Sequence, residues 1–189
     1  MKKILFFITA TVLAVITIVV AKPYLDEYKE KQKYEFALDT IDGAIKLSDF
    51  KGKAVAIFFG YTYCPDVCPT ALSLMGESLK KLNKKELNDF KGIFISVDPD
   101  RDSLKNLKEY SEYFHPNFIG ATSNEENILE VTKNYGTYFK KEYLPNSKMG
   151  YSVSHTSYIY IFDKQGNLST RLEHYSTPSE ITAALKKAL

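Results

Sequence analysis

The chain has 189 residues, of which 44% are apolar, 25% charged and 14% aromatic, so it can bury a hydrophobic core and is neither disordered nor of low complexity. Lys2 and Lys3 account for the formal charge of +2, and acidic and basic residues balance over the rest of the chain. Because only two arginines are present and the lysines are interleaved with acidic residues, a nucleic-acid-binding protein is excluded.

An apolar segment near the N-terminus, residues 4–21, contains no charged residue. As a helix it would rise about 27 Å, enough to cross the hydrocarbon core of a bilayer. Residues 1–22 are therefore predicted to be a transmembrane anchor, with a cleaved signal segment as the alternative, and the charged residues 23–35 to be a tether. Because a positive N-terminus stays in the cytoplasm, we expect the remaining chain on the extracytoplasmic (periplasmic or outer) face of the cell membrane, where thiol pairs are exposed to oxidation.

Alternating strand-like and helix-like periods from residue 36 onward predict a single domain, 36–189. The predicted elements are a strand over 54–60, a helix over 69–88, a strand over 92–98, helices over 103–114 and 124–135, strands over 157–163 and 168–175, and a helix over 179–189. The helical connection makes the first two strands parallel, and the turn at 164–167 makes the last two antiparallel. This order predicts an α/β, thioredoxin-like fold with a central mixed sheet flanked by helices.

The two cysteines of the chain, Cys64 and Cys68, directly follow the first strand, at the start of the helix and beside Pro65 and Pro69. The unpaired N–H groups and the positive dipole end of a helix favour thiolate over thiol, so both cysteines are expected to have a lowered pKa. Two such thiolates are suited to binding a metal ion or to redox exchange, and a pair of buried, inert cysteines is the alternative.

A metal site needs a further ligand, and the chain has three histidines. In a thioredoxin-like sheet the loop before the strand over 157–163 faces the cysteine helix, so His155, in that loop, is predicted to be the third ligand. His115, at the end of a predicted helix, and His174, in the last strand, are expected to be surface residues.

The acidic residues after the second strand have two interpretations. Asp98, Asp100, Asp102 and Glu109 match positions 1, 3, 5 and 12 of a calcium-binding loop, but Ser103 occupies the position that requires glycine. The sequence favours the other interpretation, in which Asp98 ends the strand near the metal site and Asp102 or Ser103 caps the next helix.

Three stretches of the chain carry a family resemblance: residues 59–70 (FGYTYCPDVCPT), residues 95–102 (ISVDPDRD), and His155 ahead of residues 160–163 (YIFD). From about Leu38 to the C-terminus the chain resembles the Sco/SenC family of membrane-anchored copper chaperones.

The resemblance implies a copper site. Cys64, Cys68 and His155 would bind copper as Cu(I), Cu(II) or both. Many members carry an aspartate directly before the histidine, where this chain has Ser154. A carboxylate that would orient the imidazole is therefore expected to be missing, with an effect on affinity.

The resemblance also implies partners: the copper-bearing subunit of cytochrome c oxidase, a copper donor protein and a thiol reductant. The first hypothesis is a metallochaperone, rather than an enzyme, that delivers copper to the dinuclear copper site of the oxidase. The alternative is a thiol–disulfide oxidoreductase that keeps the cysteines of that site reduced, although the Cys-x-x-x-Cys spacing argues against it. Zinc is disfavoured because a structural zinc site takes four protein ligands. A peroxidase is disfavoured because only Arg101 and Arg171 could assist its cysteine.

Overall fold

The computed structural model describes the backbone of residues 2–189 and the side chains of residues 17–26 and 28–189. The chain divides into two units, Met1–Lys33 and Tyr34–Leu189, and the first of them corresponds to the helix α1 (Lys2–Tyr34). Within the described residues, no helix combines the length and the apolarity that crossing a bilayer requires. The predicted span over 4–21 falls mostly on residues 4–16, whose side chains lie outside the described part.

The second unit alternates strands and helices. Its elements are β1 (Ala37–Thr40), β2 (Gly43–Lys46), a 3-10 helix (Leu47–Phe50), β3 (Ala54–Gly60), α2 (Val67–Leu79), α3 (Lys84–Asn88), β4 (Phe90–Ser96), α4 (Leu104–Phe114), β5 (Phe118–Ala121), α5 (Glu125–Tyr135), β6 (Phe139–Tyr143), β7 (Tyr151–His155), β8 (Tyr158–Phe162), β9 (Leu168–Glu173) and α6 (Pro178–Ala188). The predicted strands correspond to β3, β4, β8 and β9, and the predicted helices over 103–114, 124–135 and 179–189 correspond to α4, α5 and α6.

A five-stranded sheet in the order β5-β4-β3-β8-β9 forms the centre of the unit. Strands β3, β4 and β5 are parallel, whereas β8 is antiparallel to both β3 and β9. All seven residues of β3 are buried, as expected for the middle strand of a sheet that is covered on both faces. The predicted central mixed sheet, with its parallel pair and its terminal hairpin, is confirmed.

The two faces of the sheet bury different groups because successive residues of a strand point to opposite sides. Gly60 faces α2, which packs against α6, and α6 in turn packs against β3, β8 and β9. Phe59 faces the other way, and its ring makes edge contacts with the rings of Tyr135 and Tyr160 at 5.1 and 5.9 Å. The apolar core therefore lies in two layers, one on each side of β3.

The prediction of one continuous helix over 69–88 is wrong. Helix α2 ends after Leu79, and Asn83 starts the separate helix α3 by accepting hydrogen bonds from the backbone N–H groups of Lys85 and Glu86. The Glu86 carboxylate accepts in return from the backbone N–H of Asn83, which completes a capping box. Leu82 extends the apolar spacing across the break and is buried, so periodicity alone does not reveal it.

Five strands were not predicted: β1, β2, β5, β6 and β7. Strand β5 adds a third parallel strand at the edge of the central sheet, while β1–β2 and β6–β7 are separate two-stranded antiparallel sheets. The hairpin of β6 and β7 contains the segment that was predicted to be the loop before β8. His155 is therefore the last residue of a strand rather than a loop residue.

Candidate metal centre

The segment from β3 to α2 places both cysteines at one end of the central sheet. Strand β3 ends at Gly60, residues 61–66 form a loop that we call the cysteine loop, and α2 begins at Val67. Cys68 lies in the first turn of α2, and its backbone N–H points to Cys64 Sγ at 3.4 Å. The Cys64 sulfur thus accepts a hydrogen bond from one of the N–H groups at the start of α2 that have no partner within the helix.

Gly60 makes the space that the Cys68 sulfur fills. A β-carbon at residue 60 would lie 2.6 Å from Cys68 Sγ and 2.7 Å from the Phe94 ring, closer than such atoms approach one another. Cys68 is fully buried in this space, whereas Cys64 is half-buried. Both are free cysteines.

Asp102 holds the cysteine loop in place. Its buried carboxylate accepts hydrogen bonds from the backbone N–H of Thr62 at 3.0 Å and from the hydroxyls of Thr62 and Ser96, each at 2.5 Å.

Of the two residues predicted to cap α4, Ser103 is the one that does so, by accepting from the backbone N–H of Asn106. Among the described residues, the four acidic residues that match a calcium-binding loop do not form a group that could hold a metal ion.

The hairpin of β6 and β7 brings His155 to the cysteines. Its Nε2 lies 3.5 Å from Cys68 Sγ, and the ligand atoms of Cys64, Cys68 and His155 all lie within 4.8 Å of one another. The imidazole ring makes edge contacts with Phe58 and Tyr61, at centroid distances of 6.4 and 6.0 Å. Two sulfur atoms and one nitrogen atom therefore converge on a space large enough for one metal ion.

A backbone group orients the imidazole in place of a carboxylate. Nδ1 of His155 lies 3.2 Å from the carbonyl oxygen of Thr156. When Nδ1–H donates to this oxygen, the lone pair of Nε2 faces Cys68. Ser154 is exposed and lies on the opposite side of β7 from His155, and the group beside Nδ1 is the Thr156 carbonyl rather than a side chain at residue 154.

The two sulfurs have opposite electrostatic environments. The pKa of Cys64 is lowered to about 3 by hydrogen bonds, first from the Cys68 side chain and then from His155 and backbone N–H groups, which together outweigh its partial burial. Burial raises the pKa of Cys68 well above its usual range, and the neighbouring Cys64 sulfur raises it further. The prediction that both pKa values are lowered is thus correct for Cys64 and wrong for Cys68, because a fully buried sulfur loses the hydration of its thiolate.

The other two histidines lie elsewhere. His115 caps the C-terminus of α4, and its Nδ1 accepts from the backbone N–H of Asn117 at 3.0 Å. Burial lowers the pKa of His115. His174 follows β9, with its ring 5.0 Å from that of Tyr175. Neither belongs to the group of possible metal ligands that the described residues form.

Arg101 is a residue of this region that the sequence did not identify. Its guanidinium lies near the ring of Tyr63, beside Cys64, and pairs with the buried carboxylate of Asp98. Its position in the sequence could have identified it, because it is one of two arginines in the chain and lies within the acidic segment after β4. A single arginine in such a segment is suited to pair with one of the neighbouring carboxylates.

Comparison with known proteins agrees with this geometry. A match to the SCO1/SenC family covers residues 25–189. A SCO2-like protein of Rickettsia felis is 39% identical over 153 residues, which are 80% of this chain and 74% of that protein. Copper-bound ScoI of Bradyrhizobium japonicum is 38% identical with a TM-score of 0.72, over 82% of this chain and 98% of that one. BsSco, a member of the Sco family of cytochrome c oxidase assembly proteins with an identified disulfide switch, is 26% identical with a TM-score of 0.62, over 82% of this chain and 91% of that one. The chain therefore belongs to the SCO1/SenC family.

Proposed function

We propose that this protein is a membrane-anchored copper chaperone. It binds one copper ion through Cys64, Cys68 and His155 and delivers it to the dinuclear copper site of cytochrome c oxidase. The observation that carries the proposal is the convergence of two sulfurs and one imidazole nitrogen within 4.8 Å. The copper-bound relative from Bradyrhizobium japonicum and the description of BsSco as a member of an oxidase assembly family support it.

The donor set favours copper over the other common metals. Thiolates are soft ligands that select Cu(I), and two thiolates with one imidazole also suit Cu(II) when a further ligand is added. Calcium and magnesium prefer oxygen ligands, which this group does not offer. Zinc in a structural site prefers four protein ligands, and three converge here.

The unequal exposure of the two sulfurs suits delivery. Cys64 is half-buried and Cys68 fully buried, so an incoming ligand of a partner protein can replace Cys64 first while Cys68 and His155 still hold the ion. Loading requires the loss of the Cys68 proton, because metal ligands bind as thiolates. Cys64 needs no such step, since its pKa is lowered to about 3.

Membrane anchoring rests on the sequence of residues 4–21, which is apolar and follows two lysines. An anchor of this orientation would hold the copper-binding domain on the extracytoplasmic face of the membrane. The copper-bearing subunit of the oxidase and the copper donor would meet the domain on that face.

Anaerobic titration of the reduced protein with Cu(I), in competition with a chelator of known affinity, tests the copper site. We expect one copper ion per chain. For Cu(II), we expect an electron paramagnetic resonance spectrum with coupling to one nitrogen. A variant with both Cys64 and Cys68 changed to alanine is the control, and equal binding by the variant and the wild-type protein would refute the site.

A second candidate function is thiol–disulfide exchange, and the different environments of the two cysteines favour it. The Cys64 thiolate can attack a substrate disulfide and form a mixed disulfide, with release of one substrate thiolate. Cys68 then loses its proton and attacks Cys64 Sγ, which forms the Cys64–Cys68 disulfide and releases the second substrate thiol. A thiol reductant must afterwards reduce the Cys64–Cys68 disulfide. The disulfide switch of BsSco supports this alternative.

His155 separates the two functions, because copper delivery needs the imidazole as a ligand, whereas thiol exchange needs only the Cys64 thiolate, whose pKa is lowered first by Cys68 and less by His155. In cells that produce only the His155→Ala protein, we expect loss of assembled oxidase copper and partial rescue by added copper. The His174→Ala protein is the matched control. Normal oxidase assembly with His155→Ala at equal protein level, without added copper, would favour the reductase function.

A further inference from the structure

Arg101 lies between the two segments that carry the ligands. Its Cζ is 3.6 Å from the centroid of the Tyr151 ring, on the strand that ends at His155, and 4.9 Å from the ring of Tyr63, which precedes Cys64. Both distances lie within the range in which an aromatic face attracts a guanidinium. One cation therefore contacts both the hairpin of β6 and β7 and the cysteine loop.

Hydrogen bonds hold the guanidinium in this position. Nη1 donates to the carbonyl oxygens of Tyr151 at 2.9 Å and Met149 at 3.3 Å, and Nε donates to the Asp98 carboxylate at 2.5 Å. The Asp98 side chain is fully buried, and its other oxygen accepts from the Tyr151 hydroxyl at 2.7 Å. These bonds use the planar, forked geometry of arginine, which the ammonium group of lysine does not reproduce.

The hairpin of β6 and β7 needs such contacts to keep its position. It forms a two-stranded sheet apart from the central one, and Val153 is the one buried residue in its two strands. A two-stranded hairpin by itself is marginally stable in water. The contacts that fix β7 therefore include groups outside the hairpin: Arg101 donates to its backbone, the Tyr151 hydroxyl donates to Asp98, and the Tyr61 ring packs against that of His155.

We propose that Arg101 is a positioning residue of the copper site, which holds β7, and through it His155, against the cysteine loop. This inference rests on the proposed function, because it assigns Arg101 a role in the geometry of that same site. Loss of a group that orients a metal ligand typically costs about 10- to 100-fold in metal affinity. Arg101→Lys keeps the positive charge near Asp98 but loses the fork, so we expect a loss of affinity within this range.

A double-mutant cycle separates positioning of His155 from a general effect on the fold. We expect Arg101→Lys to weaken Cu(I) binding in the wild-type background and to have no further effect in the His155→Ala background. Arg171→Lys is the matched control, because Arg171 stacks on Tyr158 in the central sheet at 4.2 Å, and it should leave the affinity unchanged in both backgrounds. Equal losses in both backgrounds, or no loss in either, would overturn the inference.

Two further measurements keep the inference testable if Arg101→Lys proves unstable or if the protein does not bind copper. Tyr63→Leu removes one ring from the guanidinium at a half-exposed site and leaves the Asp98 pair intact, and we expect it to weaken copper binding less than Arg101→Lys does. In the metal-free protein, amide hydrogen exchange in β7 should be faster in Arg101→Lys than in the wild type, while exchange in β3 stays unchanged. Unchanged exchange in β7 would overturn the inference whatever the copper titration shows, whereas absence of copper binding by the wild-type protein would refute the proposed function alone.

Discussion

Replacing Gly60 by alanine tests whether the position of the Cys68 sulfur sets the metal affinity. The new β-carbon would lie 2.6 Å from Cys68 Sγ and 2.7 Å from Phe94 Cε2, whereas ordinary contacts begin at 3.4 Å. Because Phe94 is itself fully buried and closely packed, the sulfur has to move by about 1 Å. Overpacking of this kind costs about 1–3 kcal/mol of unfolding free energy. If binding the displaced sulfur to the metal costs about 1.4 kcal/mol more strain in the loaded site than in the metal-free one, the copper affinity falls about tenfold.

Gly92→Ala is the matched control, because it overpacks the same sheet away from the ligands. A β-carbon at residue 92 would overlap the ring of Phe118. Thermal unfolding of the metal-free proteins should show a lower Tm for both variants, by roughly 2–4 °C for each kcal/mol lost. In a Cu(I) competition assay only Gly60→Ala should be weakened. Wild-type affinity in Gly60→Ala, or an equal loss in Gly92→Ala, would refute the reasoning.

Three further predictions concern the ligands. The reduced protein should bind one copper, and Cys64→Ala or Cys68→Ala should abolish tight binding in a chelator competition, because one thiolate and one imidazole are too few ligands. His155→Ala should weaken binding severely in the same assay, whereas His115→Ala and His174→Ala should not, because those rings contact other groups. In the metal-free protein, iodoacetamide should alkylate Cys64 at a rate independent of pH between about 5 and 8, since its pKa is lowered to about 3, and Cys68 should react slowly throughout because burial raises its pKa.

Each of these predictions has an outcome that contradicts it. Wild-type affinity in both cysteine variants would contradict the ligand assignment. Sensitivity of His174 rather than His155 would mean that β7 does not lie against the cysteines in solution. A Cys64 alkylation rate that falls about tenfold per pH unit below its usual pKa would indicate an ordinary thiol. The denatured protein is the control for that measurement, because both cysteines then titrate alike.

Patterns local in the sequence predicted four of the nine strands and three of the α-helices of the second unit, namely β3, β4, β8, β9, α4, α5 and α6. Strand β3 is a continuous apolar run, and α4 and α5 each begin directly after a capping residue, Ser103 or Asn124. The break between α2 and α3 was missed because apolar spacing favours one long helix there, and the capping box of Asn83 and Glu86 outweighs that preference.

Strands that depend on distant partners were not predicted. Strand β5 has four residues, one of them a glycine, and its partner β4 lies before α4 in the chain. The hairpin of β6 and β7 is mostly polar and has one buried residue, so its residues carry little of the apolar alternation that marks a strand. Such strands form because they pair with another segment, and the sequence of one segment alone does not encode that pairing.

For the metal centre, the sequence by itself determined that Cys64 and Cys68 stand together at a strand-to-helix junction, because their spacing is local. It placed His155 near them only through the expected sheet topology. The folded chain decides that His155 Nε2, 87 residues further along, comes within 3.5 Å of Cys68 Sγ. Tertiary structure also decides the opposite pKa shifts of the two thiols. The helix terminus favours thiolate at both positions, but desolvation depends on the atoms that distant segments pack around each sulfur, and these bury Cys68 completely and Cys64 only in part.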